Sequence, residues 1–190
     1  MQIMHRVENH EVTVTGPAVA PAGSARVGSW VLLAYRLPRE PSNPRVAVWR
    51  KLERLGVARL GDGLVALPAD ARTREQIEWL GEEILEAGGT STVWLATAGG
   101  AGQERMIAQA MRAARAAEYR AVTDQARDAA KGGAAAERTR ALWRLRAELR
   151  RIVRRDFFPP PEREVARAAV DALAADAAAG GAPVVVKEGS

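Results

Sequence analysis

The sequence contains no cysteine and only two histidines, two tyrosines and two phenylalanines. Without thiols there can be no disulfide framework, thiolate zinc site or thiol catalysis, and nothing ties the chain to an oxidising compartment. His5 and His10 lie near Glu8 and Glu11 but find no further ligands nearby, so no metal site is expected. No run of about 18 uninterrupted apolar residues exists, which excludes a membrane-spanning helix. The N-terminus lacks the basic-then-apolar layout of a signal peptide, and the expected location is the cytoplasm. Paired carboxylates, a metal cluster or a Ser-His-Asp arrangement cannot be assembled either, so neither an enzyme nor a cofactor is expected.

What is present is arginine and alanine. Lysine and arginine number 28 against 23 acidic residues, giving a net charge of +5 and a pI near 10.3. Such a balance suits an acidic partner, whether nucleic acid, a small anion or an acidic protein, and the placement of the charge decides among them.

Residues 1–28 have no sustained period and read as a flexible tail, with a short strand open at Glu11 to Thr15. Trp30 to Leu37 is apolar on both faces until Arg36, the pattern of a central strand, and Pro38 and Pro41 end it. A helix from Pro44 to Leu55 follows, with Val48, Leu52 and Leu55 on one side and Gly56 as its stop. Val57 to Leu60 and Leu64 to Leu67 flank Gly61-Asp62-Gly63, a hairpin signal. Asp70 or Thr73 can cap the next helix, Thr73 with Gln76 matching a capping box, and Ile77, Leu80, Gly81, Ile84 and Gly88 trace its buried stripe. Thr90 to Ala96 is the last strand. This βαββαβ series predicts an α+β fold, a ferredoxin-like sandwich over residues 29–98.

Gly99, Gly100 and Gly102 then form a joint; they lack the spacing and lysine of a phosphate-binding loop. Residues 103–179 predict an antiparallel helical hairpin and a C-terminal helix. The first arm runs from Gln103 to Lys131, with Ile107, Met111, Ala114, Ala121 and Val122 on its apolar side. The second runs from Ala135 to Phe157 and carries a seam of Leu142, Leu145, Leu149 and Ile152. After Pro159, Pro160 and Pro161, Val165, Ala169, Ala172 and Leu173 are expected to pack the last helix. Residues 180–190 read as a second tail, where Val184 to Val186 could instead add an edge strand.

At about 100° per residue, Arg140, Arg144, Arg146, Arg150, Arg151, Arg154 and Arg155 sweep the side of the second arm opposite its seam. Arginine's planar fork binds phosphate bidentately, so Arg140, Arg144, Arg151 and Arg155 are candidate contacts to a DNA backbone; pairing with Glu104, Glu118, Asp124 and Asp128 of the neighbouring arm is the alternative. No helix-turn-helix or zinc-finger spacing accompanies them, so any such contact is unspecific. Arg36, Arg39 and Arg45 converge in sequence at a strand-to-helix junction and form a candidate anion pocket for phosphate, sulfate or chromate. Trp30, Trp49, Trp79, Trp94 and Trp143 are expected mainly in the core, with Tyr119, Phe157 and Phe158 locking the hairpin onto the sheet.

Five segments together resemble the N-terminal domain of ChrB-type chromate-resistance proteins: Trp30 to Pro38, Arg45 to Gly56, Gly63 to Pro68, Arg115-Ala-Ala-Glu-Tyr119 and Arg155-Asp-Phe-Phe158. The likeness runs from about Ser29 to Ala179. It implies a cytoplasmic regulator of chromate-resistance functions, with DNA binding and chromate response attributed to the intact protein. Full-architecture members carry a second, C-terminal chromate-resistance domain that the likeness does not reach, so chromate sensing is not implied for these residues alone. The strand-helix-hairpin portion is also similar to the middle domain of PaaX-type repressors and to small CRISPR-associated nucleases. The nucleases hold a metal with an aspartate at the end of strand one, where Tyr35-Arg36 stands here. The expected partners are therefore DNA, a small oxyanion and, as a homodimer, a second copy. The alternative is a dimeric scaffold whose sheet edge or helical seam binds protein.

Overall fold

The computed structural model describes residues 28–40, 42–132 and 134–179. The expected tails, His5, His10 and the two terminal strands left open by the sequence lie outside them. The described residues form a mixed α+β protein of four strands and five helices.

Strand β1 (Trp30–Arg36) alternates strictly in its most buried positions: Val31 and Leu33 are sealed under helices. It pairs antiparallel with β3 (Leu64–Pro68) on one side and β4 (Thr90–Ala96) on the other, while β2 (Ala58–Gly61) pairs antiparallel with β3. The order across the sheet is β2-β3-β1-β4. Register places Leu67 and Leu95 beside Val31, and Val65 and Val93 beside Leu33, so one face is continuously apolar.

Helix α1 (Asn43–Leu55) sets Val48 and Leu52 on that face and ends at Gly56 in the left-handed conformation. Helix α2 (Ala71–Glu86) adds Ile77, Leu80, Gly81 and Ile84. Lys51 and Glu83 pair across the two helices. Of the two expected caps of α2, Asp70 is the one used, and the capping box pairs it with Thr73 instead of pairing Thr73 with Gln76. Asp70 is the N-cap, its Oδ1 accepting from the Thr73 amide at 2.7 Å, and Thr73 Oγ1 accepts from the Asp70 amide at 2.9 Å. Thr73 is thus the third helical residue, and its buried hydroxyl donates to the Pro68 carbonyl instead of opening the helix.

The hairpin turn needs Gly63. Its φ is 70°, and a Cβ there would be driven into the Tyr35 carbonyl oxygen, while its own carbonyl accepts from the Tyr35 amide at 2.7 Å. Gly63→Ala should therefore lower stability by about 2–4 kcal/mol. Urea unfolding checks this, and a loss below ~1 kcal/mol would mean that the turn relaxes freely.

Helix α3 (Ala101–Lys131) belongs to two cores. Ile107 and Met111 close part of the second sheet face, beside Trp30, while Tyr119, Val122 and Ala126 join α4 (Ala135–Val153) and α5 (Glu162–Ala179) in a three-helix core. The α4 seam of Leu142, Leu145 and Ile152 is buried as its spacing predicts, with Leu149 packed against it. Helix α4 stops at Val153, four residues before the expected end, because Asp156 must turn inward to reach Tyr119. Phe158 then stacks at 6.1 Å against Trp30 and ties the helices to the sheet.

In α5 the buried stripe is Ala166, Val170 and Leu173; of the expected residues Leu173 is buried and Ala169 packs half-buried against the core, while Val165 and Ala172 are exposed. The tryptophan expectation also fails. Trp30 is core, but Trp49, Trp79, Trp94 and Trp143 are each more than half exposed.

Candidate functional site

Helix α4 is built to present arginine. Glu137 accepts from the Ala134 amide and fixes the first turn, and the leucine seam anchors one side. Arg140, Arg144, Arg150 and Arg151 stand exposed on the rest of its surface, and the exposed Arg154 is its C-cap. Arg151 pairs with Glu148 at 2.5 Å, and Arg146 lies over the Trp143 ring at 5.9 Å. Arg140, Arg144, Arg150 and Arg154 have no ion-pair partner among the described residues.

Two grooves extend this basic surface beyond α4. One, of about 530 Å³, lies between α4 and α5 and is lined by Leu149, Val153 and Val170, by Arg146, Arg150, Arg154, Arg163 and Arg167, and by Asp171. The second, of about 330 Å³, is lined by Arg54, Arg72, Arg151, Arg154 and Arg155 with Leu55, Gln76 and Phe157. Arg154 lines both. In the second groove Arg72 is held over the Phe157 ring at 6.0 Å and donates to the Arg154 carbonyl at 3.4 Å, which brings the α2 N-terminus against the end of α4.

Arg155 has a different role from its neighbours. Its side chain is only 18% exposed, and its guanidinium donates to Glu118 Oε1 at 3.1 Å and to the Glu53 carbonyl at 3.0 Å. Arg115 donates to the same Glu118 oxygen at 3.0 Å. The Arg115 guanidinium lies against Gly56 and the Arg155 guanidinium reaches the Glu53 carbonyl, so both stand at the α1 C-terminus, where the end carbonyls favour positive charge. Burial lowers the Arg115 pKa, and Glu118 opposes that shift.

One turn further on, Tyr119 donates to Asp156 Oδ2 at 2.8 Å, with an Arg163 nitrogen 3.9 Å from that oxygen. The Asp156 side chain is fully buried. Burial and the Asp156 bond push the Tyr119 phenol well above the usual tyrosine range. These groups join the α+β unit to the three helices. The sequence offered a signal for them, since Arg115, Glu118 and Tyr119 share one face of α3 at i, i+3 and i+4.

The remaining candidates are less gathered. Arg36 ends β1, Arg39 lies in the following loop, and Arg45 stands in the first turn of α1. Arg45 lines a shallow cavity with Ser42, Val46 and Trp49, and neither Arg36 nor Arg39 lines it. Among the described residues no group of three His, Asp or Glu could hold a metal ion, and no helix is long and apolar enough to cross a membrane.

A four-stranded antiparallel sheet, fastened by buried arginines and carboxylates to a helical unit with an arginine-covered surface, defines a basic, two-core α+β protein. Residues 45–132, a little under half the chain, match the family model described as Protein ChrB, N-terminal. That stretch is similar to the N-terminal domain of ChrB proteins, in line with the resemblance read from the sequence. The match runs from α1 through α3; it includes Arg115, Glu118 and Tyr119 and ends before α4. No curated protein and no solved structure gives a significant match.

Proposed function

We propose that the protein is a cytoplasmic regulatory component of chromate resistance that acts by binding, contacting DNA phosphates through the exposed arginines of α4. The observation that carries this reading is the row of exposed arginines along α4 and its C-cap, of which Arg140, Arg144, Arg150 and Arg154 have no ion-pair partner among the described residues. Arg151 joins them by exchanging Glu148 for phosphate, because an exposed ion pair holds by under about 1 kcal/mol. Arg155 does not join them; it is committed to Glu118 and Glu53.

The platform is read as a ferredoxin-like sandwich. β1 and β2 are both antiparallel to β3, hence parallel to each other, and α1 connects them; β3 and β4 stand in the same relation across β1, connected by α2. Two interlocked split βαβ units of this kind support that reading. For a small oxyanion, convergence favours the groove of Arg54, Arg72 and Arg154 over Arg36, Arg39 and Arg45.

Fluorescence anisotropy with duplex DNA over a salt series tests the proposal. If α4 neutralises phosphates, log K falls with log salt at about 0.9 per contact, and Arg140→Ala with Arg144→Ala shallows the slope by about two units. A salt-independent signal, or a double variant with the parent slope, overturns it.

A further inference from the structure

The sheet ends in two edges of opposite character. β2 has four residues, carries Arg59 and shifts register between Arg59 and Gly61. A short, charged, irregular edge resists pairing with another chain. β4 has seven residues, Thr-Ser-Thr-Val-Trp-Leu-Ala, in unbroken register against β1, with neither charge nor proline. Among the described residues no other segment donates to or accepts from its outer edge. Trp94 on one face is 58% exposed and Leu95 on the other 59%.

We infer that β4 pairs antiparallel with β4 of a second copy of this chain, joining the two sheets into one across a two-fold axis. A second copy is the occupant for three reasons. An antiparallel ladder is self-complementary, so one strand supplies both donors and acceptors under two-fold symmetry. Two chains of charge +5 repel, and an uncharged strip is where they approach at least cost. The area also suffices. Trp94 and Leu95 from two copies withdraw on the order of 500 Å² of side-chain surface, and the paired backbones bring the total toward the ~1,000 Å² of a stable interface.

With the axis at Val93, the middle residue, Thr92 of each copy faces the partner's Trp94, and Ser91 faces the partner's Leu95. Both faces of the junction are thereby closed by apolar contact. The arginines of α4 are not used, so the inference is independent of the DNA reading.

Sedimentation velocity on the whole chain is the test. The expected result is a dimer with a dissociation constant on the order of micromolar. Thr92→Lys with Trp94→Lys, and separately Thr92→Glu with Trp94→Glu, should each weaken it at least ~10-fold, and mixing the two variants should restore a dimer. Hydrogen exchange on the unmodified chain gives a reading that needs no variant: amides of β4 should exchange more slowly as concentration rises. A monomer at ~100 µM, or a dimer that survives both charged pairs without added protection in β4, overturns the inference.

Discussion

Replacing Tyr119 by phenylalanine should cost about 2–3 kcal/mol of folding stability, a large loss for the removal of one oxygen atom. The reason lies in the group left behind. Asp156 is fully buried, its Oδ2 takes a 2.8 Å bond from the phenol, its Oδ1 has no hydrogen-bond partner among the described residues, and Arg163 is 3.9 Å away. A carboxylate in that position cannot recover its lost donor from solvent without opening the junction between helices and sheet. Asp156→Asn should be milder, at about 1 kcal/mol, because the neutral amide still accepts from Tyr119.

The pH profile carries the same signature. The folded phenol keeps its proton above the ordinary value of 10.0, so the unfolded chain ionises first. This contribution is complete below the unfolded value and is lost as pH rises toward the folded one, giving a fall in stability at alkaline pH that Tyr119→Phe should flatten. Urea titrations at neutral and alkaline pH measure both effects. A Tyr119→Phe protein within ~0.5 kcal/mol of the parent, with an unchanged alkaline slope, would refute the account.

The elements easiest to read in the sequence were those with one strong period and unambiguous punctuation. β1, α1 and β4 lie within a residue of their expected bounds because proline or glycine closes them and large aliphatic residues mark the buried side. Helix α5 was matched only in part, at Ala169 and Leu173, for the complementary reason: with alanine at most positions several stripes are nearly equivalent, and the contact with α3 and α4 selects among them. In α3 the expected Ala114 and Ala121 are exposed while Ala116 and Ala126 are buried, the same degeneracy. Helix α4 has no glycine stop, so nothing local announces that Asp156 ends it by reaching across 37 positions to Tyr119.

The arginine surface was legible as composition but not as a division of labour. Spacing on a helix gives direction, and it cannot say which guanidinium meets a carboxylate from another element. Arg140 and Arg144 are exposed where spacing put them, while Arg155, equally basic in sequence, is turned into the junction. The tryptophans were misplaced because large aromatic residues are assigned to cores by their area. Here three of the four in residues 29–98, Trp49, Trp79 and Trp94, leave that area uncovered.

The junction makes a second strong prediction, in which the anion outweighs either cation. Glu118 Oε1 receives both Arg115 and Arg155, at 3.0 and 3.1 Å. Glu118→Gln leaves two guanidinium groups close together with no carboxylate between them, one already disfavoured by burial, and should cost about 3–5 kcal/mol. Arg155→Met leaves a one-to-one Arg115–Glu118 pair, retains most of the apolar stem, and forfeits chiefly the bond to the Glu53 carbonyl, a loss of about 1–2 kcal/mol. The order of the two effects discriminates between roles for Arg155. A DNA contact would lose affinity on substitution at unchanged stability, whereas a member of the junction loses stability and leaves the salt slope of binding intact. Denaturant midpoints for the two variants, together with the anisotropy slope for Arg155→Met, decide the matter. Equal stability of all three proteins, or Arg155→Met costing more than Glu118→Gln, would remove the junction from its place at the centre of this fold.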